Sequence, residues 1–225
     1  MTTPFIVEEL FKLNPNSKIT YHTDWVCIDD FYEDIEKIQK AFEHMYVESW
    51  KMSQWSRNFK DYYDCRPMFA NWEPLQEMID ARLKPLNKLI GQLVNWQDVG
   101  IEKSLAFNVF KHKKENLPLT MQHHPHYDTD MLNVLTYIDK HADGGTAIYE
   151  DIDVENKEGA NLIIDVSAYK IKEIIPAKPN RCVIFSGNKL HGAYINDNNI
   201  YYNNWRITQA TIVRPGNLID KDTIK

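Results

Sequence analysis

A chain of 225 residues with net charge −6 and no basic stripe lacks the clustered Lys and Arg that phosphate-backbone binding requires, so nucleic acid is not an expected partner. It also lacks the run of about eighteen apolar residues needed to span a membrane. Hydrophobic residues at 43 % and charged residues at 26 % suit a chain that buries one sizeable core, and a single domain over residues 1–225 is expected. Three distant cysteines, Cys27, Cys65 and Cys182, and a start with neither a basic region nor an apolar core point to a reducing, cytoplasmic setting.

Phe31 to Trp50 places Ile35, Ile38, Phe42 and Tyr46 at helical spacing, with Asp29-Asp30 as the cap. Gln54 to Met68, dense in Tyr, Trp, Arg and Asp, reads as an irregular loop of the kind that shapes a pocket mouth. Leu75, Met78, Ile79, Leu83, Leu86 and Ile90 predict a second helix, kinked or split at Pro85. Residues 1–100 are thus a helical support region with an opening strand, and 101–215 carry the β core. In that core, Leu105 to Phe110 is a strand whose Asn108 serves either a bound small molecule or, the favoured reading, a backbone group, and Lys111-His112-Lys113-Lys114 is a solvated turn.

Next comes His123-His124-Pro125-His126-Tyr127-Asp128. Residues two apart on a strand share a face, so His126 and Asp128 can converge on one metal. His-x-Asp also occurs at His22-x-Asp24 and His141-x-Asp143, and the residues just after each dyad decide between them. His126-x-Asp128 alone leads directly into an apolar strand, Met131 to Ile138; Gly144 to Tyr149 then returns as a short strand, making a hairpin beside the dyad. Pro176 to Asn180 is a turn, Arg181 to Phe185 a strand, and Ser186 to His191 delivers a second histidine. Trp205 to Val213 is a last strand with Arg206 and Thr208 on one face. Two histidines and one carboxylate favour iron(II) and leave open positions, which a closed structural zinc site does not. His124 shares a face with His126 and is its alternative as ligand, while His44 and His112 read as solvated or structural.

In this order the motifs resemble those of the iron(II)- and 2-oxoglutarate-dependent dioxygenases, in their prolyl-hydroxylase-like branch. The matching residues are His126-Tyr127-Asp128, Tyr137-Ile138-Asp139, Gly144-Gly145-Thr146, Phe185, His191 and Arg206, spanning roughly residues 105 to 213, with Trp25 to Tyr32 similar to the opening strand. Two features depart from the collagen-type pattern: Arg206 stands where Lys is usual, and an Asn-rich stretch, Asn196 to Asn204, lengthens the turn before it. The resemblance implies a mainly β fold with N-terminal helices, a double-stranded β-helix (jelly roll, cupin-like) with the helices packed on one outer sheet. It implies a metal-binding oxidoreductase that couples oxidative decarboxylation of 2-oxoglutarate to succinate and CO2 with hydroxylation of a substrate, using Fe(II) and O2. The substrate would be peptidyl proline by likeness, or a free amino acid or small metabolite. Iron would sit on His126, Asp128 and His191. Arg206 offers a planar fork to the far carboxylate of 2-oxoglutarate and Thr208 a hydroxyl; Tyr137 reads equally as a third hydrogen bond and as a half-buried sheet aromatic. Two other classes stay open: a non-redox cupin-like metal protein, in which the Arg206–Thr208 anchor has no role, and a silent β-barrel binding module.

Overall fold

The computed structural model describes residues 11–43, 51–52, 63–64, 108–112, 122–128, 132–150, 169–197, 199–201, 204 and 206–213. Within these, strands dominate and pair antiparallel throughout. The larger sheet has eight strands in the order β1 (Lys18–Tyr21), β2 (Trp25–Asp29), β10 (Arg181–Ser186), β7 (Leu132–Tyr137), β12 (Arg206–Val213), β5 (Asn108–His112), β4 (Tyr63–Asp64) and β3 (Lys51–Met52). The smaller sheet runs β6 (Gln122–His126), β11 (His191–Tyr194), β8 (Gly145–Tyr149) and β9 (Ile171–Pro176).

The sheets pack face to face because their inner positions are apolar. Trp25, Cys27, Tyr137, Val183 and Phe185 of the larger sheet meet Ile148 and Ile175 of the smaller in one buried cluster. β7 and β10 are buried on both faces since both are covered, whereas β9, at a sheet edge, alternates toward solvent.

One expectation is corrected here. β7 and β8 are not a hairpin, because they lie in different sheets. The segment between them is bent by Asp139, whose Oδ1 accepts the N–H groups of His141 and Ala142 at 3.1 and 2.7 Å, and whose Oδ2 faces the N–H of Ile207 at 3.3 Å. Gly144 and Gly145 then take φ of 75° and 147°, and a Cβ on Gly145 would collide with the carbonyl of Ile175. Only glycine lets the chain cross between sheets this tightly.

The N-terminal helices also differ from expectation. The helix α1 covers Ile35–Glu43, and its cap is Asp34, whose Oδ1 accepts the Lys37 N–H at 2.9 Å. Asp29 and Asp30 do not cap it: the Asp29 carboxylate is held by Arg181 Nε and Nη2 at 2.6 and 3.0 Å, and Asp30 is in the left-handed region at φ 55°. Of α1, Ile38 is fully buried and Gln39 donates to the carbonyl of Ile138 at 2.6 Å. The described part of the first hundred residues otherwise supplies four strands, β1 to β4, to the larger sheet. The second helical pattern, Leu75 to Ile90, and the loop Gln54 to Met68 apart from β4 lie outside the described residues. Lys111 and His112, expected in a solvated turn, end β5 and pair with Ile207 and Arg206. No helix among the described residues is long and apolar enough to cross a membrane.

Candidate active site

β6 and β11 are hydrogen-bonded neighbours in register His191↔His126, so two histidines 65 positions apart in sequence become direct cross-strand partners, their ring centroids 4.4 Å apart. The strand ends at His126, yet the alternation persists: Tyr127 turns away into a cluster with Tyr149, Tyr169 and Leu190, which brings Asp128 back to the histidine side. The N–H of Asp128 donates to the Gly187 carbonyl at 2.9 Å and pins it there. Nδ1 of His191 lies 2.7 Å from the Lys189 carbonyl. A carbonyl can only accept, so Nδ1 carries the proton, and in the neutral ring the Nε2 lone pair faces the site.

Asp128 Oδ2 lies 3.3 Å from His191 Nε2 and 3.7 Å from His126 Nε2, and the three candidate ligand atoms all fall within 4.8 Å of one another. Ligands that each stand about 2.0–2.2 Å from one ion are spaced in this way. Burial pushes the Asp128 carboxyl upward, but His191, the nearby charge of His126 and the Asn133 amide outweigh it and hold the group well below the usual carboxylate range. The acid is therefore ionised and ready to ligate.

Asn133 was not singled out from the sequence. It is buried on β7, and its Nδ2 lies 2.9 Å from Asp128 Oδ2 and 3.1 Å from His191 Nε2, touching two of the three ligand atoms. A signal was there: an amide within the apolar run Leu132 to Ile138, two and four positions from Leu135 and Tyr137 and so on their face.

The two competing dyads serve other ends. His22 stacks on Trp25 with centroids 3.5 Å apart, and Asp24 pairs with Lys172 and Lys189 at 3.1 and 2.7 Å. His141 is exposed, and Asp143 Oδ2 accepts the N–H groups of Asn196 and Asp197 at 2.8 and 2.6 Å. Among the described residues, His126, Asp128 and His191 form the metal-capable group. His123 and His124 are on β6 and Asn108 is on β5, but their side chains lie outside the description.

Arg206 and Thr208 are each 4 % exposed and share the inner face of β12, with Thr208 directly across from Tyr137 of β7. Their strand neighbour Gln209 points the other way, accepting from the Tyr32 hydroxyl at 2.6 Å. The Tyr137 hydroxyl pairs with Thr146 Oγ1 at 2.8 Å, and burial pushes it up to about 12 despite that bond and the nearby Arg206 charge. Arg206 Nη2 donates to the Gly145 carbonyl at 3.2 Å. Among the described residues no carboxylate pairs with this guanidinium, although a buried charge without a partner is destabilising by several kcal/mol. Along β8, Gly145 is level with Tyr194 and Ile148 is level with His191. The guanidinium thus lies about 10 Å along the sheet from the level of His191, at roughly 3.3 Å per residue.

No protein-family model and no curated protein matches the chain. Solved structures do. HygX from Streptomyces hygroscopicus, with nickel, 2-oxoglutarate and hygromycin B bound, matches at TM-score 0.56 and 10 % identity over 87 % of this chain and 84 % of its own. The non-haem alpha-ketoglutarate-dependent carbocyclase SnoK from nogalamycin biosynthesis matches at 0.57 and 10 % over 87 % and 83 %. The epimerase SnoN, in complex with Fe3+, alpha-ketoglutarate and nogalamycin RO, matches at 0.50 and 14 % over 85 % and 79 %. The chain shares the fold of these proteins. Within that fold every ligand position and anchor expected from the sequence lies on the inner faces of the two sheets or on the turns that join them.

Proposed function

We propose that the protein is an iron(II)- and 2-oxoglutarate-dependent oxygenase acting on a small organic substrate, with residues 101–215 carrying the site. One observation carries the reading: Arg206 is buried, lacks a carboxylate among the described residues, and shares a face with the hydroxyl of Thr208. Such a guanidinium calls for an anion, and its planar fork fits a carboxylate. A non-redox cupin-type metal protein has no use for it.

The donor set fits the metal. Two imidazoles and one carboxylate on one side of an ion favour iron(II) and leave positions for a chelating 2-oxo acid and for dioxygen. Iron held there would supply the oxidative decarboxylation of 2-oxoglutarate to succinate and CO2, coupled to hydroxylation or a related oxidation of the second substrate. The chain's own residues do the rest. Lys189 fixes the His191 tautomer, Gly187 and Asn133 aim the Asp128 carboxylate, and Phe185 packs edge-on against the His191 ring at 4.9 Å. Arg206 and Thr208 fix the distal carboxylate, with Tyr137 beside them, which sets the 2-oxo end toward the triad.

A small-molecule substrate is favoured over peptidyl proline because HygX and SnoN hold hygromycin B and nogalamycin RO, while the prolyl-hydroxylase likeness rests on motif residues alone. Purified protein supplied with Fe(II), O2 and 2-oxoglutarate should form succinate, and a pool of small polyhydroxylated or polycyclic metabolites should accelerate it more than a panel of proline-containing peptides. Absence of succinate with every pool would refute the oxygenase reading; acceleration by peptides alone would refute the substrate class.

A further inference from the structure

We propose that Asp24, of the His22-x-Asp24 dyad, is a positioning residue for the metal centre and acts through Lys189; this rests on the reading of His126, Asp128 and His191 as metal ligands. The turn from Ser186 to Leu190 carries the chain from the larger sheet to the smaller, and it presents two backbone acceptors to the site. Gly187 O receives the N–H of Asp128 at 2.9 Å, and Lys189 O receives Nδ1 of His191 at 2.7 Å. Wherever this turn moves, two of three ligands move with it.

Within the turn the local bonds are long, Lys189 N to Ser186 O at 3.2 Å and Asn188 N to Ser186 Oγ at 3.3 Å. A shorter tie reaches outside it, Lys189 Nζ to Asp24 Oδ1 at 2.7 Å, with side chains 29 % and 23 % exposed, so the pair is partly shielded from solvent. Asp24 is well placed to serve as an anchor. It directly precedes β2, whose Trp25 is in register with Phe185 at the end of β10. The same short loop is tied to β9 by Asp24 with Lys172 at 3.1 Å and by Trp25 Nε1 with Glu173 Oε1 at 2.8 Å, and His22 stacks on Trp25. Its other oxygen thus grips the smaller sheet while Oδ1 holds the ligand-bearing turn. The Lys189 half of this arrangement holds the turn, and with it the approach of His191 to His126 and Asp128.

Co(II) titration of the metal-free protein, followed by its visible d–d bands, tests this with a probe independent of turnover. Asp24→Asn and Lys189→Met should each weaken Co(II) binding about threefold to fivefold, the scale of one partly exposed ion pair, and should alter the d–d band positions because the ligand geometry changes. The double variant should be no weaker than the weaker-binding single, since both remove one interaction. Lys172→Met breaks the other half of the Asp24 carboxylate's pairing without touching the turn, and should leave Co(II) affinity and bands unchanged even if it lowers the melting temperature. Asp24→Glu should recover most of the affinity. Wild-type protein that binds no Co(II) would overturn the metal-ligand reading and this one together. Tight wild-type binding with unchanged bands in Asp24→Asn, multiplying single effects in the double variant, or an equal loss in Lys172→Met would overturn the positioning role alone.

Discussion

Replacing Arg206 is the sharpest probe of the proposed function. The side chain is 4 % exposed and, among the described residues, makes one hydrogen bond, to the Gly145 carbonyl. Losing one partner of a buried charge pair is destabilising by about 3–5 kcal/mol, and a neutral hydroxyl hydrogen bond contributes about 1 kcal/mol. Since about 1.4 kcal/mol is a factor of ten, Arg206→Ala should weaken 2-oxoglutarate binding by a hundredfold or more, and Thr208→Val by about fivefold. Arg206→Lys should fall between, keeping the charge and losing the fork. The assay is anaerobic titration of 2-oxoglutarate into the iron(II) protein, following the visible band of the chelate, with circular dichroism to show that each variant is folded. Iron affinity should hardly change, because the guanidinium stands about 10 Å along β8 from the level of His191. A titration curve for folded Arg206→Ala that overlays the wild type would refute the anchor, and with it the argument against a non-redox metal protein.

Three further outcomes are expected. Asp128→Ala or His191→Ala should abolish tight Fe(II) binding measured by equilibrium dialysis, while His141→Ala, at an exposed position outside the triad, should bind as the wild type does. Asn133→Leu keeps the volume and removes the donor shared by Asp128 and His191, so metal affinity should drop about tenfold or more in the same measurement. The Asp29 carboxyl is held below its usual range first by its hydrogen bonds from Arg181, with burial opposing, so it stabilises the fold above the ordinary carboxylate value near 4 and loses that contribution as pH falls through its lowered value. Urea midpoints of wild type and Asp29→Asn should therefore differ at pH 6 and converge in strong acid; a gap that is constant with pH would show that the Arg181 pair is not what the substitution removes.

The placement of the candidate site was legible in part because alternation along a strand carries over into space. His126 and Asp128 bracket one outward-turned tyrosine, and Arg206 and Thr208 alternate on a strand, so a period of two was enough to pair them. Two kinds of feature escaped. Asn133 reads as one polar residue in an apolar run, and only the cross-sheet approach of His191 gives it a role. The partition of β7 and β8 into separate sheets was hidden because Gly144-Gly145 signals a tight turn equally well for a hairpin and for a crossing, and what decides is the distant carbonyl of Ile175 and the reach of Asp139 to Ile207. The helix cap was misplaced for a similar reason: Asp29 is claimed by Arg181, far along the chain, and Asp34 inherits the local task.

The pairing of β2 with β10 also bears on how the molecule is assembled. Tyr32 and Asn180, 148 residues apart, exchange hydrogen bonds at 2.9 Å just beyond this ladder. Closing so long a loop is slow, since the entropy of bringing its ends together is lost before any contact compensates. On a ribosome, Val26 and Ile28 must wait as an unpaired apolar edge until β10 has been made, exposed meanwhile to aggregation. His191 follows β10 closely, so the three candidate metal ligands cannot be assembled before this ladder has been made.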